Sequence, residues 1–264
     1  MKLTTTASDN VAIGRNAMCT NTTGASNAAV GTSAMQSNTE GASNTAIGGN
    51  SVLFANTTGD ENVAVGNLAL AANTTADGNT AVGTNALNDN TTGASNTAVG
   101  SYSLDANTTG TVSTAVGVSA LGAQTTGDNN TVVGYQALRT TTTGKFDTAM
   151  GNQSLIAVTT GCYDTAYGWR SGCAITDGAC NTLLGASAGD NITTGDRNVI
   201  IGKSSHPSAA DGNDQSVIGH DVSGKGNDTF TTGGANGVFN HNNTTAWQQT
   251  SDKRIKKNIV DNNI

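Results

Sequence analysis

Few residues of this chain are of the types that carry chemistry, and its histidines, cysteines and carboxylates do not have the spacing of a catalytic or metal site. The histidines, His206, His220 and His241, do not pair with an Asp or Glu at the spacing of a triad or a metal centre. The calcium-binding repeat Gly-Gly-x-Gly-x-Asp does not occur. No paired carboxylates that could cleave a glycosidic bond stand out. These observations predict a protein that is not an enzyme of metabolism and that holds no cofactor or metal.

The cysteines also fall short of a recognisable site. Cys19, Cys162, Cys173 and Cys180 are too few and too unevenly spaced for a disulfide framework or a zinc centre. Cys162 and Cys180 are 18 residues apart, which is close to the period described below. They could therefore meet across adjacent coils and form a disulfide, and the alternative is that they are buried free thiols.

Composition excludes several classes of protein. Charged residues make up 12% of the chain and there is one proline, whereas a disordered chain is usually richer in both. The formal net charge of −7 argues against nucleic-acid binding, because phosphate contacts need clustered Lys and Arg. No run of about 18 apolar residues occurs, so no membrane insertion is predicted.

An internal repeat dominates the sequence. A five-residue unit, Asn-Thr-Ala-Val-Gly or a close variant, recurs every 17 residues, with one step of 18, and the consensus NTAVGxxALxxNTTGxx spans roughly residues 10 to 219. The thirteen copies begin at Asn10, Asn27, Asn44, Asn62, Asn79, Asn96, Ser113, Asn130, Asp147, Asp164, Asn181, Asn198 and Gln215.

The length of the repeat decides its structure. Seventeen residues rich in Gly, Asn and Thr are too short for a pair of helices. Two short strands and two turns fit, which is one coil of a parallel β-solenoid. Residues 79–82 are expected to form the first strand, Gly83 to end it, 86–87 to start a second strand, and 90–93 to form the return turn. The predicted fold is therefore an all-β parallel solenoid, or β-roll, of about 13 coils.

Two stacked rows of large apolar residues are predicted to build the core of this solenoid. Small residues such as Ala81 and Ala98 alternate with the first row, so we expect them to form a flat outer face that contacts another chain. Two large side chains per coil contribute roughly 1.5–3 kcal/mol each, against a backbone entropy cost of about 1–2 kcal/mol per residue. Because this core is thin, a homotrimer is predicted, or an end-to-end filament. The first row contains Ile13, Val30, Ile47, Val65, Val82, Val99, Val116, Val133, Met150, Tyr167, Leu184, Ile201 and Ile218, and the second contains Met18, Met35, Leu53, Leu70, Leu87, Leu104, Leu121, Leu138 and Leu155.

The repeat resembles that of a known family of fibres. The unit Asn-Thr-Ala-Ile-Gly at 44–48 is similar to the repeats of trimeric autotransporter adhesin heads, whose left-handed β-rolls pack as trimers, although the family repeat is shorter. Such units also recur in phage tail fibres. The resemblance implies a trimer that attaches to a glycan or protein receptor on a host surface.

The C-terminal residues resemble a second family. Ser-Asp-Lys-Arg-Ile-Lys-Lys-Asn-Ile at 251–259 is similar to the opening of the intramolecular chaperone domain at the end of phage endosialidases and tail spikes. That resemblance makes Ser251 the nucleophile and Lys256 its base in a single self-cleavage between Thr250 and Ser251. The domain is normally much longer than residues 251–264, so these residues are expected to be only its start, either because the gene is truncated or because the sequence covers part of a larger product.

The predicted organisation is a lead-in at 1–9, a shaft at 10–219, a connector or tip at 220–250 and the start of the chaperone domain. The predicted function is that of a structural fibre protein of a phage tail or surface appendage, located on the virion or the extracellular surface. No apolar signal-peptide segment opens the chain, as expected of phage proteins, which are released by lysis. The alternatives are a cellular trimeric adhesin and a self-assembling extracellular filament.

Two further hypotheses concern the Asn-Thr-Thr turns. Flat Thr arrays can bind ice, but paired residues such as Thr91 and Thr92 are adjacent and should point to opposite sides, which makes an ice-binding solenoid a poorer prediction. The Asn residues are formal glycosylation sequons, whereas the repeat also explains them as turn residues that bond the backbone. These sequons begin at Asn21, Asn56, Asn73, Asn90 and Asn107.

Overall fold

The protein forms an all-β parallel solenoid of about 13 turns. The structure is a computed structural model that describes residues 6–233, 238–241 and 248–249. The described residues contain no helix, and none of them forms a helical span that could cross a membrane. The strands are β1 Val11–Ile13, β2 Ala28–Thr32, β3 Thr45–Asn50, β4 Val63–Val65, β5 Thr80–Val82, β6 Thr97–Val99, β7 Thr114–Val116, β8 Thr131–Val133, β9 Thr148–Met150, β10 Thr165–Tyr167, β11 Thr182–Leu184, β12 Val199–Ile201, β13 Ser216–Ile218, β14 Thr229–Thr232, β15 Val238–His241 and β16 Gln248–Gln249.

All sixteen strands lie in one sheet, in chain order. Strands β1 to β14 are parallel. From β1 to β13 the strand residues pair with their equivalents one coil away, as Thr80 does with Thr97, with a register shift after Val30 in β2. Strand β14 instead pairs Phe230 with Ser216. The single step of 18 residues appears where Thr45 pairs with Val63. Strands β15 and β16 then add antiparallel. The predicted coil count and register are therefore confirmed.

The predicted second strand is wrong. Residues 84–89 form a series of turns, in which Asn85 and Leu87 have φ values of 56° and 51°. These left-handed residues kink the chain so that it cannot run as an extended strand. Their amides nevertheless bond along the stack, since the Leu87 N–H donates to the Ser103 carbonyl at 3.0 Å. Each coil thus contributes one strand, and its other sides are built from stacked turns.

The assignment of the inner and outer sides of the strand is also corrected. The row of Leu and Met residues is buried as predicted, from Met18 to Leu155. Ala81 and Ala98 are fully buried as well, whereas the aliphatic row of the strand points outward and leaves Ile13 61% exposed. In most coils the buried strand residue is Ala where the turn residue is Leu or Met, and Val132 with Leu138 is an exception. The Ala face is therefore the inner wall of the core and cannot contact another chain.

Buried amide ladders run beside this apolar core. Asn79 donates from Nδ2 to the Gly93 carbonyl at 2.9 Å, and its Oδ1 accepts the Asn96 N–H at 2.9 Å. In the second ladder, the Nδ2 of Asn90 donates to Asn73 Oδ1 at 3.0 Å and to the Gly93 carbonyl at 2.9 Å. Every Asn of the sequons is fully buried, so the folded chain does not present these nitrogens for glycosylation.

The core changes its packing towards the C-terminal coils. Gly172 and Gly189 replace the Leu of the buried row, and Leu183 replaces the strand Ala. A Cβ on Gly189 would lie 2.8 Å from a methyl of Leu183 and 3.0 Å from one of Ile192. The larger strand residue, together with Ile175 and Ile192 in the second amide ladder, therefore fills the space that the missing Leu leaves.

We predict that Gly189→Leu and Leu183→Ala, which together reverse this exchange, have non-additive effects on the free energy of unfolding. Gly189→Leu overpacks the core and should lower the free energy of unfolding by about 1–3 kcal/mol. Leu183→Ala opens a cavity and should lower it by about 2–5 kcal/mol. The double variant restores the Ala and Leu pair of the earlier coils and should lose much less than the sum of the two, as measured by thermal and denaturant unfolding followed by circular dichroism. Additive losses would contradict this packing.

Candidate interaction surface

The outer face of the sheet is a continuous uncharged surface along strands β1 to β13. Because side chains alternate along a strand, the first and third residues of each strand point outward on either side of the buried Ala. The first position is Thr in seven consecutive strands, from Thr80 to Thr182. The third position is aliphatic or aromatic throughout. No charged residue occupies either row in strands β1 to β13. We call these two rows the Thr/aliphatic face.

The Thr/aliphatic face is long, flat and half exposed. Parallel strands lie about 4.8 Å apart, so thirteen of them span about 60 Å. The exposed fraction is 36% for Val99 and 42% for Ile47. Gly83 borders the face with φ of +139°, and an added Cβ would lie 2.7 Å from the Gly100 carbonyl. Glycine at this corner therefore lets the coils stack closely, which keeps the edge of the face level.

Aromatic residues enlarge the face in the middle coils. Tyr167 continues the aliphatic row and is 57% exposed. With Val133, Met150 and the intervening glycines it lines a shallow cavity of about 370 Å³. Trp169 lies beyond the corner residue Gly168, outside the two rows; it is 53% exposed, and the guanidinium of Arg170 lies 5.5 Å from its ring centroid. An exposed apolar stripe of this length is typical of a surface that contacts another macromolecule.

Charged pairs lie elsewhere on the coil. The Lys145 ammonium contacts the Asp128 carboxylate at 2.7 Å, and the Arg197 guanidinium contacts Asp214 at 2.7 Å, each across one coil. These residues belong to the turn before the strand, outside the Thr/aliphatic face. Exposed ion pairs contribute little to stability. Their position is informative, because it shows that the charged residues lie outside the Thr/aliphatic face.

Two buried carboxyl groups interrupt the first amide ladder. Asp147 and Asp164 take the place of Asn, and the Oδ1 of Asp147 accepts the Asp164 N–H at 2.9 Å. The Oδ2 atoms of both residues are buried without a hydrogen-bond partner. Burial therefore raises the pKa of Asp147 to about 8 and that of Asp164 to about 7.

The other residues singled out in the sequence have no shared site. Ser251, Lys256 and the Thr250–Ser251 bond lie outside the described residues. The cysteines are free; Cys180 is exposed and Cys162 partly exposed, so the expectation of buried thiols at this pair is wrong. No group of three His, Cys, Asp or Glu that could hold a metal occurs within the described ranges.

Reasoning from the sequence missed the Thr/aliphatic face, although a signal for it was present. The third strand position accepts Val, Met and Tyr in turn, a range of sizes that a narrow core could not hold. The Thr row of the strands was overlooked because the Thr pairs of the turns are the more conspicuous pattern in the sequence. There Thr91 donates from Oγ1 to the Thr108 carbonyl at 3.0 Å, while Thr92 is exposed.

Comparison of the chain with protein-family models, with curated proteins and with solved structures found no match. The resemblances to adhesin heads and to the endosialidase chaperone therefore rest on the residues quoted for them.

The two buried aspartates predict an alkaline loss of stability. Their folded-state pKa values of about 8 and about 7 lie above the ordinary value of about 3.9, so the folded chain binds protons that the unfolded chain releases. The stability that they contribute is full below about pH 4 and is lost as the pH rises through 7 and 8. The melting temperature should therefore fall between about pH 5 and about pH 9.

The matched variant is Asp147→Asn with Asp164→Asn, which restores the ladder residue of the other coils. This double variant should reduce the fall in melting temperature between about pH 5 and about pH 9 by a few degrees. Asp128→Asn serves as the control, since its contact with Lys145 holds the pKa of Asp128 below the ordinary value, and it should leave the alkaline fall unchanged. An unaltered pH profile in the double Asn variant would contradict the assignment.

Proposed function

We propose that the chain is the shaft of a homotrimeric fibre that mediates attachment, as part of a phage tail fibre or a related extracellular appendage. The observation that carries the proposal is the Thr/aliphatic face, which is long, uncharged and exposed on the single chain. Such a face favours burial against other copies, since monomeric proteins rarely expose continuous apolar patches of this size. Closed symmetry between identical chains would cover it along the whole shaft.

The size of the face supports an assembly of this kind. A strip about 60 Å long and about 10 Å wide presents on the order of 600 Å². A standard interface buries about 800 Å² on each partner, so the face supplies about three quarters of that area and residues at its margins would supply the rest. The resemblance to trimeric adhesin heads selects three chains over two. A cellular adhesin or an extracellular filament would use the same face and would differ in what anchors it.

Residues 251–264 are assigned to maturation. By resemblance to the endosialidase chaperone, the Ser251 hydroxyl attacks the Thr250 carbonyl while Lys256 accepts the hydroxyl proton. The Thr250–Ser251 amide bond then breaks as its nitrogen takes up that proton, which leaves Thr250 as an ester on the Ser251 oxygen. Water hydrolyses this ester and so releases the fibre after it trimerises. This is a single turnover within the chain.

A row of threonines on a flat sheet favours ice binding as a second candidate. On the outer face, Thr hydroxyls alternate with aliphatic groups at a repeat of about 4.8 Å, which the adjacent Thr pairs of the turns do not provide. The two functions need the same surface. A trimer that buries the Thr/aliphatic face excludes ice binding through it, whereas a monomer that slows ice growth would favour the second candidate.

Charges on the Thr/aliphatic face should break the trimer. Val99→Glu with Val116→Glu places two carboxylates on the outward row without disturbing the core, and buried unpaired charges are costly. Native mass spectrometry should show a trimer for the wild-type protein and a monomer for this variant. Thr109→Glu with Thr126→Glu is the matched control, because it puts the same charges on exposed turns of the same two coils. A monomeric wild-type protein, or a variant that stays trimeric, would refute the proposed interface.

The processing step is tested separately, under denaturing conditions. The wild-type subunit is expected to end at Thr250, and Ser251→Ala should leave residues 251–264 attached. Lys256→Gln should do the same, since it removes the proposed base, whereas Lys257→Gln should be cleaved normally. Cleavage of the Ser251→Ala chain would show that another nucleophile, or a protease, cuts the bond.

A further inference from the structure

A polar notch opens in the turns that follow the corner glycine of each coil, outside the two strand rows of the Thr/aliphatic face. It has a volume of about 440 Å³ and spans three successive coils. This volume lies within the range of about 300–1,000 Å³ that is typical of sites for small ligands. The notch is lined by Tyr102, Asp105, Ser119, Gly122, Ala123, Arg139 and Thr140.

The notch exists because one coil lacks a side chain. The position after the buried Leu carries a side chain in every coil from Cys19 to Asp190 except at Gly122. The Ala106 N–H donates to the Gly122 carbonyl, and the Ala123 N–H donates to that of Arg139, so the coils stack normally here. Gly122 is therefore the floor of a gap between Asp105 and Arg139. The full row is Cys19, Gln36, Phe54, Ala71, Asn88, Asp105, Gly122, Arg139, Ile156, Cys173 and Asp190.

Nothing in the backbone requires glycine at this place. Gly122 does not have the left-handed φ that marks the corner glycines. A Cβ would lie 3.5 Å from the Ser119 and Tyr102 carbonyl oxygens, which is ordinary van der Waals contact. Glycine at 122 therefore keeps the space open and is not required by the fold, whereas glycine at 83 is required by its backbone conformation.

The walls of the notch offer complementary groups. Tyr102 is 47% exposed. Asp105 is partly buried, and this burial, with the nearby Asp89 carboxylate, raises the pKa of Asp105. Two coils, about 10 Å along the axis, separate Asp105 from Arg139. Neither residue takes part in an ion pair within the described ranges. The carboxylate is thus short of hydrogen-bond donors, and the guanidinium has free ones.

We infer that this notch binds one pyranose unit of a surface polysaccharide. A pyranose has an apolar face of C–H groups that can stack on the Tyr102 ring, as aromatic side chains do with flat apolar partners. Its hydroxyls can donate to Asp105, and its ring oxygen or a carboxylate substituent can accept from Arg139. The inference rests on the proposed function, because it names the class of receptor that the fibre would bind.

The position of the notch agrees with use in an assembled fibre. Its residues lie in the turns that follow the corner glycine of each coil, whereas the Thr/aliphatic face lies on the strand before that corner. A trimer joined through the Thr/aliphatic face leaves three copies of the notch open, and three weak sites on one rigid fibre bind together much more strongly than one.

The test uses an array of neutral, amino and acidic pyranosides, probed with the labelled intact protein. Gly122→Gln fills the gap with a side chain that the same row already holds at Gln36, so the fold should be retained. It should weaken the binding of the recognised sugar about ten-fold or more, and Tyr102→Ala should do the same. The matched controls are Ala71→Gln in the same row and Tyr135→Ala, an exposed tyrosine outside the notch. Both should bind normally.

The outcomes separate this inference from the proposed function. If no sugar binds, or if Gly122→Gln binds as the wild-type protein does, the notch is not the site, and a trimer in the same preparation leaves the fibre proposal standing. If the protein is monomeric yet binds a sugar in a manner that Gly122→Gln abolishes, the inference holds and the trimeric fibre fails.

Discussion

The buried asparagine ladders are the interaction on which the rest of the solenoid depends. A polar group in a buried interior is costly unless it is hydrogen-bonded. Asn79 meets that condition by accepting the Asn96 N–H of the next coil and donating to the Gly93 carbonyl. A coil that slipped by one residue would leave each amide without partners. The 17-residue register is therefore enforced from inside, and the turns can vary in sequence without losing it.

The same ladders determine what faces outward. Strand residues alternate, so a buried Asn79 also directs Ala81 inward, and Thr80 and Val82 must point to the outside. The opposite wall is already occupied by Leu87. The aliphatic row is thus exposed because the Asn ladder and the Ala residues occupy the interior. The chain therefore presents an apolar surface that it cannot bury by itself. This constraint links the core of the coil to the proposed assembly.

Periodicity alone predicts the number of coils, their register, the buried Leu row and the glycine that ends each strand. It does not reveal which side of the strand is inside, because a strict alternation looks the same from both sides. Tyr167 was predicted to lie in the buried row, yet it is 57% exposed, and its ring is too large for a core that holds Ala at most strand positions. The second strand was expected because Ala86 and Leu87 are strand-compatible residues. Nothing in a single sequence shows that Leu87 adopts φ of 51°, a conformation imposed by the turn that brings it over the core.

Departures from the repeat carry more functional information than the repeat itself. Some departures are compensated within the core, as when Leu183 fills the space above Gly189, and these are explained by packing. Gly122 is not compensated: no neighbour fills its gap, and its backbone could hold a side chain without strain. Neither the backbone nor the packing requires glycine at this position. The open space that glycine creates is therefore the feature that needs an explanation. For this reason the notch between Asp105 and Arg139, and not the regular shaft, is the place in the described chain where specificity for a small ligand is to be sought.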